Sequence, residues 1–557
     1  MLKSKEPKRT SVCRSIDLPL ISSIVRTMKN LKKLFLFTFV GALPLALTSC
    51  SIYDILFGGF PGGNPNASNG VNHEGDWTTD VLPFSLKSAH ETYGADTLPP
   101  TGDVKLLVLP IEFTDSPFSS RSLKDLDVAL NGKAEDTGYW ESVSSFYSKS
   151  SYGKSNLSFE VAPVYKTGLT QRNAYSRYVS SRTGESDNGG NLIHYAYDNY
   201  VSAKGKGATK AFDSDGNGYI DGVVAVYSGP NCTNAPTNLY DSETNYYWAY
   251  TYWMSMTSAA GGWCDPNPKN PTPNLYFWLS YDFLYQAVSS PKVDAHTLIH
   301  ETGHMYGLDD YYPNQTDSKA NLAGGWDMMD ENILDHDAYS KMVLGWTSPH
   351  VVQEPGTYSI NPSATSGDCL LIPSSSWNGT AYDEYMLLEL YTPTDLNYLD
   401  SHERYPGRLL GYSTYGAKLY HIDSRLLELK QNTSTHDTTY SYMENPKGGM
   451  KAYDGRYVYG YMVGASNCNK NDGVDSRCSL IHMMEADNDG AFAAGKYGTN
   501  NDLFHTGDSF SMKTYRSSFP FRNSNGDACF NKGSDFPYRI TFDEVAADHA
   551  TVTISLA

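Results

Sequence analysis

The chain has 557 residues, of which 40% are hydrophobic and 19% charged, and its formal net charge is −19. This length leaves room for about two or three globular domains, and the acidic balance argues against nucleic acid as a partner. An aromatic fraction of 13%, with 43 tyrosines, favours a β-rich, loop-rich exported protein over a bundle of long helices.

The N-terminal region has the pattern of an export signal. From Met28 onward, lysines precede an apolar run between Leu34 and Leu47. The run is too short for a membrane-spanning helix and suits the apolar core of a signal peptide. We therefore expect residues 1–49 to be a signal region whose true start is Met28.

The apolar run ends in LTSC at residues 47–50, which is similar to the lipobox of bacterial lipoproteins. In that class the cysteine is lipidated and becomes the mature N-terminus. Cys50 is therefore the expected lipidation site, and the protein is expected at the cell surface, anchored to a bacterial membrane by its lipid. A plain secretory signal with a chance cysteine is the alternative. Residues 50–80 are rich in Gly, Asn and Pro and predict a flexible tether.

Two domains are expected after the tether. Apolar runs predict an α+β domain over residues 81–350, and the alternation of apolar and polar residues predicts a β-rich, sandwich-like domain over residues 351–557. The first domain is predicted to contain strands at 104–113, 156–164 and 223–227 and helices at 141–149 and 293–306. Aromatic residues crowd positions 246–283, where they either wall a cleft or pack inside the domain.

An acidic loop, DSDGNGYIDG at residues 213–222, alternates oxygen donors with glycines ahead of the apolar run 223–227. Calcium prefers carboxylate, amide and carbonyl oxygens. The candidate calcium ligands are Asp213, Asp215, Asn217, the carbonyl of Tyr219, and Asp221. Val224 stands where a glutamate would complete an EF-hand loop, so the loop is not a full EF-hand. A polar turn that leads into a buried strand is the alternative.

The strongest chemical signal is HTLIHETGHMYGLDDYY at residues 296–312. Of the His-Glu pairs in the chain, only His300-Glu301 is followed three residues later by another histidine. On a helix, His300 and His304 lie about 40° apart around the axis and one turn along it, so both imidazoles can bind one ion. Glu301 then lies beside the metal, where it can act on a water. The motif predicts a catalytic zinc site.

The third zinc ligand is expected beyond this helix. His296 lies about 12 Å along the axis from His304, too far for one ion, so we interpret it as a residue that supports the ligands or lies on the surface. Gly307 can adopt the left-handed conformation that ends a helix, and Asp310 follows three residues later. The pattern HExxHxxGxxD is a variant of the metzincin motif, with aspartate as the third ligand.

The metzincin pattern also requires a methionine turn beneath the metal. The sequence GGWDMMD at residues 324–330, here called the methionine turn, supplies one, with Met329 the first candidate and Met328 the second.

The cysteines agree with export. Six remain when Cys13 and Cys50 are set aside, an even number that is consistent with disulfides in an exported chain. The expected pairs close short loops and are Cys232–Cys264 and Cys468–Cys478. The spacing of the cysteines is not typical of a metal site.

Together these motifs resemble the immune inhibitor A type family of secreted bacterial metallopeptidases. The family pattern HExGHxxGLxDxY, then GxWDxM, then a segment ending in LGW is similar to HETGHMYGLDDYY, GGWDMMD and HDAYSKMVLGW in this chain. The resemblance covers roughly residues 100–515. It implies a zincin or metzincin-like catalytic domain, one catalytic Zn²⁺ and protein or peptide substrates. It implies His300, His304 and Asp310 as zinc ligands and Glu301 as the general base. A similar Asp- and Gly-rich loop in the family supports structural Ca²⁺ at residues 213–221.

The chain departs from the family pattern at Asp309, where the family usually has proline. Two adjacent carboxylates therefore compete for the ligand position, and Asp310 is preferred because it keeps the spacing from Gly307. Tyr311 or Tyr312 is the candidate group for stabilising the oxyanion.

Three other interpretations remain open from the sequence. A distal glutamate such as Glu331 could be the third ligand. The protein could be a non-catalytic, adhesin-like surface binding protein on a protease-like scaffold, although the intact Glu301 argues against this. It could also be a zinc-dependent hydrolase of another bond.

Overall fold

A computed structural model describes residues 85–557 except 93–94, 134–140, 180–185, 206, 232–245, 258–262, 286–292, 314–319, 405–407, 444, 447–448, 452 and 469–472. The signal region, Cys50 and the tether expected in residues 1–80 lie outside the described residues. Helices and strands both build the described part, so the predicted mixed α and β character is confirmed. None of the helices described is long and apolar enough to cross a membrane.

The helices of the described residues are short. They are α1 (Leu86–Glu91), α2 (Ser120–Asn131), α3 (Val143–Ser150), α4 (Gln171–Tyr178), α5 (Gly190–Lys204), α6 (His296–Met305), α7 (Ala338–Val343), α8 (Ser363–Ser366) and α9 (Tyr398–His402). Short 3₁₀ helices lie at Ala208–Phe212, Met254–Met256, Tyr281–Tyr285, Asp395–Asn397, Asn500–Asp502 and Arg516–Ser518.

The strands of the first half are β1 (Gly102–Glu112), β2 (Ser155–Val161), β3 (Tyr165–Lys166), β4 (Tyr219–Ile220), β5 (Val223–Tyr227), β6 (Tyr250–Trp253), β7 (Thr272–Pro273) and β8 (Leu275–Ser280). Those of the second half are β9 (His350–Val351), β10 (Gly356–Ile360), β11 (Cys369–Pro373), β12 (Glu384–Tyr391), β13 (Gly416–Asp423), β14 (Leu426–Asn432), β15 (Thr438–Tyr442), β16 (Tyr457–Val463), β17 (Ile481–Met483), β18 (Ser509–Ser511), β19 (Phe521–Arg522), β20 (Ala528–Cys529), β21 (Tyr538–Val545) and β22 (Ala550–Leu556).

A six-stranded sheet forms the centre of the first half. Its strand order is β2-β1-β5-β8-β6, with β3 paired to β1. The pairs up to β8 are parallel, whereas the edge strand β6 runs antiparallel to β8. Helix α6 packs against β6 and β8. The antiparallel edge strand therefore lies beside the helix that carries the HExxH motif.

The sequence predicted these central elements well. The strands expected at 104–113 and 156–164 are β1 and β2 with slightly shifted ends, and the strand expected at 223–227 is β5. The helices expected at 141–149 and 293–306 are α3 and α6. All residues of β5 are buried, which explains its uninterrupted apolar run, since a parallel strand at the centre of a sheet is covered on both faces.

The aromatic region 246–283 is largely packing. Tyr246, Tyr247, Tyr276 and Trp278 are buried, and the rings of Tyr246 and Trp278 are in contact. Of the two possibilities left open by the sequence, the structure favours core over cleft wall for these side chains.

Two larger sheets build the second half. One has the order β17-β13-β12-β11-β9 and the other β10-β22-β21-β18. Strand β12 is buried on both faces, and its side chains alternate between two cores. Tyr385 and Leu387 join the core of the first half, whereas Met386 and Leu388 join a second core shared with β10, β21 and β22. The first of these sheets therefore lies between the two cores.

One expected disulfide is absent. Cys478 is a free buried thiol, so the predicted Cys468–Cys478 bond is wrong for this structure. Closeness in sequence therefore does not bring the two sulfur atoms into bonding position. Burial and nearby carboxylates, Asp423 among them, raise the pKa of the Cys478 thiol to about 12. Cys232 lies outside the described residues, so the Cys232–Cys264 pair is not described.

Leu387 tests how the two halves are joined, because it lies in the second half and packs in the core of the first. Leu387→Ala removes a buried side chain that packs on the first half and should lower the free energy of unfolding by about 2–5 kcal/mol, whereas the volume-conserving Leu387→Met should cost less than about 1.5 kcal/mol. Chemical denaturation measures both. A loss below about 1 kcal/mol for the alanine variant would contradict the packing described for β12.

Candidate metal centre

The candidate metal centre is built on α6 and on the turn that follows it. The helix ends at Met305, and Gly307 adopts φ +93°, the left-handed conformation expected from the sequence. A side chain at position 307 would press against His90 and Thr97, so both space and backbone conformation favour glycine there. The turn directs the chain back so that Asp310 lies beside the helix.

Three predicted ligands converge at this point. Asp310 Oδ1 lies 3.1 Å from His300 Nε2 and 3.0 Å from His304 Nε2. A candidate ligand atom of each residue lies within 4.8 Å of the other two. A tetrahedral Zn²⁺ with ligands at about 2.0–2.1 Å separates its ligand atoms by roughly 3.3 Å, so the donor set fits zinc in both chemistry and spacing.

The orientation of both imidazoles is fixed by the backbone. His300 Nδ1 donates to the Met328 carbonyl at 2.8 Å, and His304 Nδ1 donates to the Leu308 carbonyl at 2.9 Å. Because a carbonyl oxygen only accepts, each Nδ1 carries a hydrogen, and in the neutral ring the lone pair is on Nε2. Both lone pairs are therefore available where Asp310 lies. Such outer hydrogen bonds are typical of metal-binding histidines.

The electrostatics favour Asp310 over its neighbour as the charged ligand. Burial raises the pKa of Asp310, but His304 and His300 outweigh it and hold the pKa well below its usual value. Burial and the charge of Asp310 raise the pKa of Asp309 to about 6, and the Asp309 carboxyl is hydrogen-bonded to Ser466. The alternative ligand Glu331 accepts from Tyr497 Oη at 2.7 Å and does not belong to the converging group.

The methionine turn lies directly beneath the helix. A Cβ at position 303 would overlap the sulfur of Met329, so Gly303 lets the methionine approach the ligand-bearing turn of α6. Tyr311 N donates to the Met329 carbonyl at 2.8 Å, which joins this turn to the segment that carries Asp310. Met328 contributes its carbonyl to His300 instead, and its side chain is buried.

Glu301 faces the edge strand. Its carboxyl Oε2 accepts a hydrogen bond from Thr251 Oγ1 on β6 at 2.9 Å. Burial raises the pKa of Glu301, and the nearby His304 and His300 partly offset this. Thr251 was not predicted from the sequence, because a single threonine among aromatic residues carries no motif.

For two nearby expectations, the structure excludes one of the alternatives that the sequence left open. His296 is not on the surface. It is fully buried, with Nδ1 2.6 Å from Asp294 Oδ1 and Nε2 3.3 Å from Asp400. Tyr311 is also fully buried and hydrogen-bonded to Ser340, so it cannot reach an oxyanion. Tyr312 remains the candidate of that pair, since its ring is stacked on that of His300 with 6.3 Å between the ring centroids.

The acidic loop brings together three of its five candidate ligands, which are Asp213, Asp215 and Asp221. Burial raises the pKa of Asp221 to about 7, and the buried Asp213 Oδ1 has no hydrogen-bond partner among the described residues. The Asn217 amide oxygen instead accepts from Tyr219 N at 2.7 Å, and Tyr219 belongs to β4.

A lysine that the sequence did not predict also faces this loop. Lys87 Nζ lies 3.2 Å from Asp215 and 2.7 Å from Asp96. The segment that precedes β1 therefore supplies a fixed positive charge to the acidic loop.

Comparison of the chain with known protein families and with curated proteins found no match. The geometry of the site therefore carries the functional argument.

The ligand assignment makes a direct prediction about the two adjacent aspartates. Asp310→Ala should weaken zinc binding by at least about 100-fold, more than the 10–100-fold typical of a lost outer hydrogen bond. Asp309→Asn should bind zinc within about tenfold of the wild type, because its carboxyl is directed to Ser466. Titration against a competing chelator measures both. The reverse order would make Asp309 the ligand, and retained binding in both variants would favour Glu331.

The buried His296 gives a prediction about pH. Burial lowers the pKa of His296, but Asp400 and Asp294 outweigh it, so the pKa is raised above 6.5 in the folded protein. Arg408 also faces Asp294, at 3.6 Å. A raised histidine pKa contributes stability that is fully present below pH 6.5 and is lost as pH rises through the folded value. The loss in free energy of unfolding caused by His296→Gln should therefore be largest below pH 6.5 and shrink at higher pH, as measured by chemical denaturation. A pH-independent loss would contradict this charge assignment.

Proposed function

We propose that the chain is a zinc metalloendopeptidase that hydrolyses peptide bonds in proteins. The observation that carries the proposal is the convergence of His300 Nε2, His304 Nε2 and Asp310 Oδ1 beside a buried glutamate on the same helix. Two imidazoles and one carboxylate leave a tetrahedral ion one position for water, as a catalytic zinc site requires. The proposal includes a zincin or metzincin-like catalytic domain, supported by the antiparallel edge strand β6 beside α6 and by Met329 beneath Gly303.

Each residue has a distinct role in the proposed reaction. His300, His304 and Asp310 hold Zn²⁺, which supplies a nucleophile near neutral pH and polarises the carbonyl to be attacked. Glu301 takes a proton from the attacking water and returns it to the leaving amine. The carbonyls of Met328 and Leu308 keep both imidazoles oriented throughout.

The sharpest test of this role is the isosteric change at the base. Glu301→Gln keeps the shape of the side chain but cannot accept the proton, so proteolysis should fall by about 10²–10⁴-fold while zinc content stays near one per chain. Hydrolysis of a protein substrate, with and without a chelator, measures the activity. A loss below about tenfold would exclude Glu301 as the general base, and a chelator-insensitive activity would exclude the metal.

The main alternative is an adhesin-like binding protein on the same scaffold. The intact and buried Glu301 argues against it, because a binding protein does not need a proton acceptor at this position.

We further propose a lipid anchor at Cys50 that holds the enzyme at the outer face of a bacterial membrane. This rests on the lipobox-like sequence alone.

We also propose that the acidic loop binds structural Ca²⁺. Asp213, Asp215 and Asp221 supply hard oxygen donors within 4.8 Å of one another, directly before the buried strand β5. Without a cation, their like charges repel at the start of that strand, and Lys87 offsets only part of this repulsion.

Calcium should therefore support stability and take no part in the chemistry. Removal of all metals should lower both activity and melting temperature. Zinc alone should restore part of the activity at low temperature, and calcium should restore the melting temperature. The variant Asp213→Ala/Asp215→Ala should melt lower than the wild type and not respond to calcium. If it melts at the wild-type temperature in saturating calcium, the loop is a polar turn.

A further inference from the structure

Thr251 makes an unusual pair of contacts with the proposed catalytic base. It lies on the edge strand β6, opposite Phe277 of β8, and is buried. Its Oγ1 lies 2.9 Å from Glu301 Oε2 and also 2.9 Å from the backbone carbonyl of Glu301. One hydroxyl thus reaches both the side chain and the main chain of the same residue.

The carboxyl of Glu301 has no other such contact among the described residues. Thr251 is the only described side chain that hydrogen-bonds it, and Oε1 accepts no hydrogen bond from the described part of the chain. One oxygen of the carboxyl is therefore held by the edge strand, and the other is available to a water.

We infer that Thr251 is a positioning residue that holds Glu301 in one orientation while it takes and returns a proton. The inference rests on the proposed peptidase function. A hydroxyl has one hydrogen to donate and two lone pairs to accept. When Glu301 is a carboxylate, Thr251 donates to Oε2. When Glu301 carries the proton from the water, that proton is on Oε1, and Oε2 still accepts the hydrogen bond from Thr251 Oγ1.

The contact between Thr251 and Oε2 can persist in both protonation states, because the proton is exchanged at Oε1. A group that could only accept a hydrogen bond could not hold the carboxylate, because both carboxylate oxygens only accept. With threonine, the carboxyl needs no rotation between the two states. This matters because a misplacement of about 1 Å in a reacting group costs on the order of 10²-fold in rate.

The inference is tested by two matched pairs that differ in the hydroxyl. The side chains of Thr251 and Thr251→Val have the same shape. Those of Thr251→Ser and Thr251→Ala both lack the methyl group and differ from each other in the hydroxyl. Removal of the hydroxyl should lower kcat by about 10–100-fold within each pair, with KM and zinc content unchanged. Thr251→Ser should stay within about threefold of the wild type. Equal kcat within either pair would overturn the inference.

A matched control is present on the helix itself. Thr302 is fully buried, and its hydroxyl donates to the Leu298 carbonyl at 2.7 Å without contacting the Glu301 carboxyl. Thr302→Val should therefore leave kcat within about threefold of the wild type. A loss equal to that of Thr251→Val would show a general effect of removing a buried hydroxyl and would overturn the inference. Failure of both Thr251→Val and Thr251→Ala to fold would do so as well, because the hydroxyl would then serve folding.

An infrared measurement separates this inference from the proposed function. The difference spectrum between the metal-free wild type and Glu301→Gln isolates the Glu301 carboxyl bands, whether or not the protein cleaves peptides. Loss of the hydrogen bond in Thr251→Val should shift these bands, whereas Thr251→Ser and Thr302→Val should leave them in place. An unshifted spectrum would overturn the inference even if the protein is a peptidase. A shifted spectrum in a protein without hydrolytic activity would overturn the proposed function and, with it, the catalytic role of the contact.

Discussion

The hydrogen bonds from the histidine Nδ1 atoms to backbone carbonyls are the constraint on which the candidate site depends. His300 is held by Met328 of the methionine turn and His304 by Leu308 of the turn that ends α6. Each bond fixes a tautomer and a ring orientation, so that both Nε2 atoms face Asp310. The methionine turn and the glycine turn therefore serve the ligands by orienting them, in addition to closing the space beneath them.

The second half of the chain contributes to the same rigidity. The sheet that contains β12 packs one face on the core of the first half and the other on the core of the second half. His296, at the start of α6, is paired with Asp400 of α9, which belongs to the second half. The start of the helix that carries the candidate ligands is thus tied to a segment far away in sequence.

The sequence predicted those parts of the site that depend on local spacing. The HExxH spacing places His300, Glu301 and His304 on one face of a helix, and Gly307 identifies the turn because a left-handed residue favours glycine. The central strand β5 was predicted because its uninterrupted apolar run is buried on both faces.

Contacts between distant segments were beyond such reasoning. Thr251 and Lys87 reach their partners only through the fold, and nothing in their neighbouring residues indicates those partners. The two alternatives for His296 could not be separated from the sequence, because helical spacing shows that it cannot share the ion but not which carboxylates surround it. The predicted disulfide between Cys468 and Cys478 was wrong for a similar reason, since proximity in sequence does not bring two sulfur atoms into bonding position.

Zinc K-edge X-ray absorption on the protein loaded with one equivalent of zinc tests the central claim most directly. We expect nitrogen and oxygen ligands at about 2.0–2.1 Å, with the outer scattering of two imidazoles and without a sulfur ligand. The imidazole scattering should fall by half in His304→Ala. A ligand shell with sulfur at about 2.3 Å, or one without imidazole scattering, would contradict the assignment of His300, His304 and Asp310 as the metal centre.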